Sequence, residues 1–269
     1  MFHLQALHFR PGEGPREYPF TLALLEHLDN LEFSAPLTIF VGENGSGKST
    51  LLEGIAALVK LPAIGGRPLL KDPSLRHAHS LAKSLRPKWQ RPIKRGFFLR
   101  AEDFFGFVRG MEEMRLDLRE ELATAERQAR ERGASDYGIA QSKTPWAGQL
   151  AGLEDRYGAD LDAASHGESF LQLLQARVID QGLYLLDEPE AALSPMRQLA
   201  LMAFFKDRIE QGRCQFIIAS HSPILLAFPG AQLLHFGTSG IHPIEYEDLE
   251  HVRFTRDFLN APEAFLRFL

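Results

Sequence analysis

The sequence is short of cysteine, of charge imbalance and of long apolar runs, and each shortage removes a class of protein. Its single cysteine, Cys214, excludes an intramolecular disulfide framework. Because Cys214 stands just before the apolar run Phe216-Ile-Ile-Ala219, a buried small hydrophobe is expected rather than a redox or metal-binding thiol. No apolar stretch approaches the roughly 20 residues that a membrane-spanning helix needs. His3, Gln5 and His8 interrupt the first residues, where a signal sequence would keep an apolar core. The expectation is a cytoplasmic chain with no membrane insertion. A formal net charge of −5 over 269 residues gives no global attraction to nucleic acid or anionic lipid. Low-complexity tracts and internal repeats are missing as well, so function has to be read from local motifs.

What is present is an ordinary globular composition, 45% hydrophobic, in a chain long enough for one large α/β domain with an insertion or for two small domains. One stretch dominates it, Val41-Gly-Glu-Asn-Gly-Ser-Gly-Lys-Ser-Thr50, a full G-x-x-x-x-G-K-[ST] phosphate-binding loop. Leu37-Thr-Ile-Phe-Val41 before it reads as a buried strand, and Leu51, Leu52, Ile55, Ala56, Leu58 and Val59 after it recur at helical spacing. Gly42, Gly45 and Gly47 let the backbone turn successive N–H groups inward, so that the loop from Gly42 through Asn44 and Ser46 to Thr50 cradles phosphate at a helix N-terminus. Lys48 would reach the β and γ phosphates of a bound nucleotide, and the Ser49 hydroxyl would ligate Mg²⁺. The bland alternative is a glycine-rich turn without a ligand; the complete motif in strand-loop-helix context argues against it.

Two further strands deliver polar groups. Leu183-Tyr-Leu-Leu186 ends in Asp187-Glu188-Pro189, at the end of a strand where an open α/β sheet binds ligands. Asp187 is suited to hold Mg²⁺, directly or through water, and Glu188 to orient or deprotonate an attacking water. Phe216-Ile-Ile-Ala219 ends in Ser220-His221-Ser222-Pro223, where His221 is positioned to donate a hydrogen bond to the γ-phosphate. Between them, Ser165-His-Gly-Glu-Ser169 opens a helix, and an S-x-x-E capping box accounts by itself for Ser165 and Glu168.

The rest of the chain reads as scaffold. Phe2 to Phe9 and the apolar segment from Leu22 to Phe33 are expected to be strands flanking the core, and Tyr18 or Phe20 either stacks on a nucleobase or packs. Residues 67–100 form a basic segment, with Arg67, Lys71, Arg76, Lys83, Arg86, Lys88, Arg91, Lys94, Arg95 and Arg100 against Asp72 alone. With Trp89 as a stacking platform it suits a nucleic-acid backbone; a solvated loop or a surface for an acidic partner protein suits the same charge. A helix is expected from Met111 to about Arg132, and Gly133 to Gly158 reads as a mobile connector. The expected organisation is a single domain, 1–269, with a basic and helical insertion over 62–158. A helix from Met196 to Glu210, a hairpin around Gly237 to Gly240 and a C-terminal amphipathic helix docked on the core complete the chain.

The phosphate loop, Ser165 to Ser169, Asp187-Glu188, Ala191-Ala-Leu-Ser194 and His221, in this order, resemble the motif series of ABC-type ATPases, on the side of small stand-alone ATPases near SMC, RecF and OLD-like proteins. The resemblance implies an α/β P-loop fold with a flanking antiparallel β portion and a helical insertion. It also implies a head-to-tail homodimer that sandwiches two ATP molecules with Mg²⁺. Each ATP is then held by one protomer's phosphate loop and the other's signature segment, Ser165 and Gly167, with Ala191 to Ser194 as D-loop and His221 as switch histidine. The chain departs from the pattern at S-H-G-E-S, at Ser194 in place of an aspartate, and at Arg100-Ala-Glu102, where a glutamine is expected and Glu102 is the candidate substitute. The implied activity is ATP hydrolysis by a soluble switch for DNA or a nuclease-type effector. The alternative is the nucleotide-binding subunit of a membrane transporter, and a third reading is a clamp that binds ATP without hydrolysis.

Overall fold

The computed structural model describes residues 3–10, 17–64, 76–93, 95–157 and 166–267. Two compact units divide the chain: Met1–Ala101 with Val178–Leu269, and Glu102–Arg177. The first unit begins with β1 (Leu4–Phe9), α1 (Ala23–Glu26), β2 (Asn30–Glu32), β3 (Leu37–Val41), α2 (Lys48–Val59), α3 (Arg76–Ser84), β4 (Leu85–Trp89) and β5 (Gly96–Arg100). The second unit holds α4 (Ala101–Glu131), α5 (Asp136–Tyr157) and α6 (His166–Arg177). The chain then returns through β6 (Leu183–Asp187), α7 (Pro195–Glu210), β7 (Gln215–Ala219), α8 (Pro223–Leu226), β8 (Gln232–Gly237), β9 (Gly240–Pro243), α9 (Glu250–Asn260) and α10 (Pro262–Leu266).

A six-stranded sheet in the order β5-β6-β7-β3-β8-β9 organises the first unit, parallel throughout except for β9. Strands β3, β6 and β7 are buried at every position, as strands covered on both faces must be, and this is why they read as unbroken apolar runs. One face packs on α2, whose Leu51, Leu52, Ile55 and Ala56 join Phe40, Phe98, Leu185 and Ile217 in one core. On the opposite face Phe205 of α7 lies 4.6 Å from Phe216, which continues through Tyr184 to Phe97. Each of these fully buried rings contributes about 2–3 kcal/mol relative to exposure. Cys214 is buried, as expected, with burial pushing its thiol pKa up.

A second, antiparallel sheet, β2-β1-β4, supplies the flanking β portion. The segment from Leu22 to Phe33 departs from expectation: it makes the short α1 before β2, and its leucines 24, 25, 28 and 31 all enter the core without a continuous strand. Trp89, on β4, is half-buried against the same core, so its ring is used in packing. Arg76, Lys83, Arg86, Lys88, Arg91 and Arg95 are exposed; Arg67, Lys71 and Lys94 lie outside the described residues.

The second unit begins after β5. Residues before Ala101 belong to the first unit because β4 and β5 are paired into its two sheets. In the second unit α4 starts ten residues earlier than expected, since Phe104 continues the buried stripe of Met111, Arg115 and Leu118 back toward Ala101. The expected connector is a helix, α5, despite Gly138, Pro145, Gly148 and Gly152. Contacts with α4 override its poor propensity. Lys143 meets Glu126 at 2.9 Å, the Ser142 hydroxyl donates to the Ala125 carbonyl, and Tyr157 stands edge-on to Phe107 at 5.7 Å. Glu126 and Arg130, four residues apart on α4, pair at 2.7 Å on the surface. The C-terminal segment is two helices rather than one, and Phe254, Phe265 and Leu266 are exposed; Phe254 and Phe258 pack on Phe265 instead of on the core. Among the described residues no helix is long and apolar enough to cross a membrane.

Candidate nucleotide site

Strand order brings the polar motifs together. In a parallel sheet every strand ends at the same edge, and β7 lies between β3 and β6. The loop after β3 (Gly42 to Thr50), the Ser220-His221 pair after β7, Asp187-Glu188 after β6 and Arg100 at the end of β5 therefore line one rim of the sheet.

The phosphate loop has the backbone its glycines allow. Gly42 and Gly47 sit at φ 148° and 97°, and a Cβ on Gly47 would collide with Leu24. Asn44 and Gly45 are exposed at its crest, and the Ser46 hydroxyl is buried with no hydrogen-bond partner among the described residues. Lys48, 5% exposed, donates to the carbonyls of Gly42 (2.8 Å) and Glu43 (2.9 Å). Burial lowers its pKa, against the upward pull of Glu188, Asp187 and Glu190. Thr50 meets the Tyr18 hydroxyl at 2.8 Å, and the Tyr18 ring, more than half exposed, lies 5.2 Å from His77.

The Ser49 hydroxyl donates to Asp187 Oδ1 at 3.1 Å. These are two adjacent hard oxygen donors, the set that suits Mg²⁺. Burial raises Asp187 to about 7, opposed by the Ser49 hydrogen bond; Glu188 and Glu53 push further up and Arg100 pulls down. A carboxyl whose pKa is raised on folding holds its proton more tightly in the folded chain, so its contribution to stability falls as pH climbs from 3.8 to about 7. Without metal or nucleotide, Asp187→Asn is therefore expected to gain on the order of 1–3 kcal/mol over the wild-type chain at pH 7.5, several degrees in Tm, with the gap closing toward pH 4. Parallel melting curves across that range check it, and a gap independent of pH contradicts it.

Glu188 is exposed, with φ 50° and ψ 49°, a left-handed conformation unusual for a residue with a side chain. Its N–H donates to the Ala219 carbonyl at 3.0 Å, tying the β6 and β7 ends together. Glu190 went unnoticed in the sequence. Its Oε1 accepts from the Ser220 hydroxyl (2.8 Å) and from the His221 N–H (2.6 Å), and burial raises its pKa. The signal was a second carboxylate two residues beyond Glu188, separated by a proline. His221 Nε2 is buried without a partner among the described residues, its pKa lowered by burial and by Lys48. The His251 ring of α9 stands 6.5 Å away.

Glu53, also missed, is a buried carboxylate one turn beyond Ser49 on α2. Arg100, read in the sequence as part of a basic surface, ends β5 with its side chain only 15% exposed. Glu102 lies in the first turn of α4 and is exposed. Ser165 lies outside the described residues; Gly167 is buried at the start of α6, in the second unit. Ala191 and Ser194 are exposed, and Ser194 precedes α7.

Residues 91–227 match a family described as AAA domain, putative AbiEii toxin, Type IV TA system, and residues 20–60 match a family described as AAA domain. The chain is 32% identical over 187 residues to the thiamine import ATP-binding protein ThiQ of Ruegeria sp., covering 68% of this chain and 69% of the relative. It is 26% identical over 245 residues to the cobalt import ATP-binding protein CbiO of Salmonella paratyphi A, covering 86% and 81%. Among solved structures it is similar to an Smc head domain bound to the C-terminal domain of ScpA, from Pyrococcus furiosus, at 12% identity and a TM-score of 0.46 over 96% of this chain and 100% of that one. With a phosphate loop, a parallel-rich sheet, the family match over residues 91–227 and the 32% identical relative, the chain belongs to the ABC-type P-loop ATPases and carries their ATP-binding domain.

Proposed function

We propose that the chain hydrolyses ATP in the cytoplasm, at the interface of a head-to-tail homodimer, and that nucleotide-driven association is a switch for a partner, duplex DNA or a nuclease-type protein effector. The observation that carries hydrolysis is Glu188. It is an exposed carboxylate at the carboxyl end of β6, felt by both Lys48 and His221, and so free to orient and deprotonate water beside the terminal phosphate. The loop N–H groups of Gly42 to Thr50 and the Lys48 ammonium bind the phosphates, for which Lys48 releases its two carbonyls. Ser49 and Asp187 would hold Mg²⁺, which supplies charge neutralisation at the β and γ phosphates when bound. The neutral His221 ring offers an Nε2–H donor to the γ-phosphate, with Glu190 fixing its backbone N–H. Gly167 of the second protomer, at the start of α6, completes the anion site together with Ser165, whose part in it is read from the sequence alone.

Dimerisation is supported by Met196 and Leu199, which stand 75% and 51% exposed directly after the Ala191 to Ser194 segment. Steady-state Mg²⁺-dependent ATP turnover across protein concentration, with and without duplex DNA, tests the proposal. The expected result is turnover that rises more steeply than concentration and is further stimulated by DNA. Dependence on concentration without a DNA response moves the partner to the protein effector, and no turnover in any condition overturns the hydrolase. A second reading, the ATP-binding subunit of an importer, is favoured by the names of the two curated relatives. Recovery of the chain with the membrane fraction of its source cells, released only with an integral membrane protein, would support that reading.

A further inference from the structure

Gln198 lies in the first turn of α7 and is buried, whereas Met196 and Leu199 on either side of it are exposed. A buried primary amide needs a partner for its oxygen and one for its nitrogen, and Gln198 finds both outside α7. Its Nε2 donates to the Leu193 carbonyl at 3.2 Å, and its Oε1 accepts from the Ser222 hydroxyl. The amide fits only one way round. Ser222 Oγ already accepts the Ile224 and Leu225 N–H groups at 3.2 and 3.3 Å, so its own proton goes to Oε1 and Nε2 is left for the carbonyl.

The turn that carries Ser222 is held a second time by Glu190. The Ser222 N–H donates to Ser220 Oγ at 3.1 Å, Ser220 Oγ donates to Glu190 Oε1 at 2.8 Å, and the His221 N–H donates to the same oxygen at 2.6 Å. Residues 190–193 and the turn 220–222 are thus joined at both ends, by the Glu190 carboxylate at Ser220 and His221 and by the Gln198 amide between Leu193 and Ser222. A ring of hydrogen bonds closed in this way makes the two segments one body, so that a displacement of residues 190–193 is passed to His221. Ala191 and Ser194, on the first segment, are exposed and continue into the exposed Met196 and Leu199.

We propose that Gln198 is a positioning residue: it links the seating of a second copy of this chain on Ala191, Ser194, Met196 and Leu199 to the placement of His221 against the terminal phosphate, so that association turns hydrolysis on. The inference rests on the dimeric ATP-hydrolase reading above and adds to it the residue through which docking of one protomer reaches the γ-phosphate donor of the other. Without the amide, Glu190 still anchors the His221 N–H, and the dimer still forms, but the second end of the ring is open.

The test is Mg²⁺-dependent ATP turnover of the full-length chain across protein concentration, run beside sedimentation with ATP for dimerisation and equilibrium binding of adenylyl imidodiphosphate. Gln198→Met fills the space of the side chain without either hydrogen bond. It is expected to lower kcat at saturating protein concentration about tenfold or more, the scale on which a misplaced group acts, with nucleotide affinity within about twofold of wild type and the dimerisation midpoint within about threefold. Ser222→Ala breaks the same link from the other side and is expected to give the same pattern. The double variant should fall no further than the lower single variant, because a single link is lost in all three. Ser222→Ala carries the test if Gln198→Met does not fold. A wild-type kcat in Gln198→Met with only a lowered Tm, a loss confined to dimerisation or to nucleotide affinity, or losses that multiply in the double variant would overturn the inference alone. Wild-type turnover strictly proportional to protein concentration removes the dimeric reading together with this inference, and no turnover at all removes the hydrolase.

Discussion

Glu188→Gln is expected to cut ATP turnover at least ~100-fold while ATP binding stays within about twofold of the wild-type chain. The expectation separates two carboxylates only two residues apart. Glu190 is engaged: one oxygen braces both Ser220 and His221, and it is the half-buried member of the pair. Glu188 is exposed, so truncating its charge removes no packing, while its backbone keeps the contact with Ala219 whatever the side chain. Glutamine preserves shape and a hydrogen bond to water but cannot take the proton. The matching control is Glu190→Gln, which keeps an acceptor for Ser220 and His221 and should lose much less turnover. Unchanged turnover in Glu188→Gln would reject Glu188 as the base. Absence of turnover already in the wild-type chain would leave the clamp, which binds ATP without hydrolysis.

The site was legible where chemistry is written into contiguous residues. Gly42 to Thr50, Asp187-Glu188 and His221 each follow a run of apolar residues, and those runs are unbroken because β3, β6 and β7 are buried on both faces. What escaped notice acts across the sheet. Glu53 reads as one polar residue on an otherwise apolar helix, and Arg100 as the last charge of a basic stretch, next to the Glu102 that the sequence favours for the missing glutamine. Their meaning depends on β5 pairing with β6, which brings Arg100 opposite Asp187. The same limit explains α5. Its glycines and Pro145 argue for a loop, and only contacts with α4, which local propensity cannot register, make it a helix. Trp89 errs the other way: an aromatic among basic residues suggests stacking, but β4 pairs with β1 and half-buries the ring.

The other large effect is expected at Lys48, and it is twofold. Lys48→Ala should weaken ATP binding at least ~100-fold, since it removes two or more charge-assisted contacts to phosphate. It should also lower the stability of the nucleotide-free chain. The ammonium is almost fully buried, holds the carbonyls of Gly42 and Glu43, and is the cation that Glu188, Asp187 and Glu190 all act upon. Its removal takes a donor from the Gly42 carbonyl, leaves the Glu43 carbonyl only its bond from the Ser46 N–H, and leaves a group of carboxylates less compensated, a loss of about 1–3 kcal/mol. Lys48→Arg separates the two effects. It keeps the charge near the carboxylates and so most of the stability, but a planar guanidinium does not fit where a compact ammonium reaches two carbonyls at 2.8 and 2.9 Å. Its ATP affinity should therefore fall nearly as far as that of Lys48→Ala. Thermal melts and nucleotide titrations of both variants check the pair. ATP binding by Lys48→Ala at wild-type strength would remove the phosphate loop from the site, whereas an unchanged Tm would mean that Lys48 does not hold the empty loop closed.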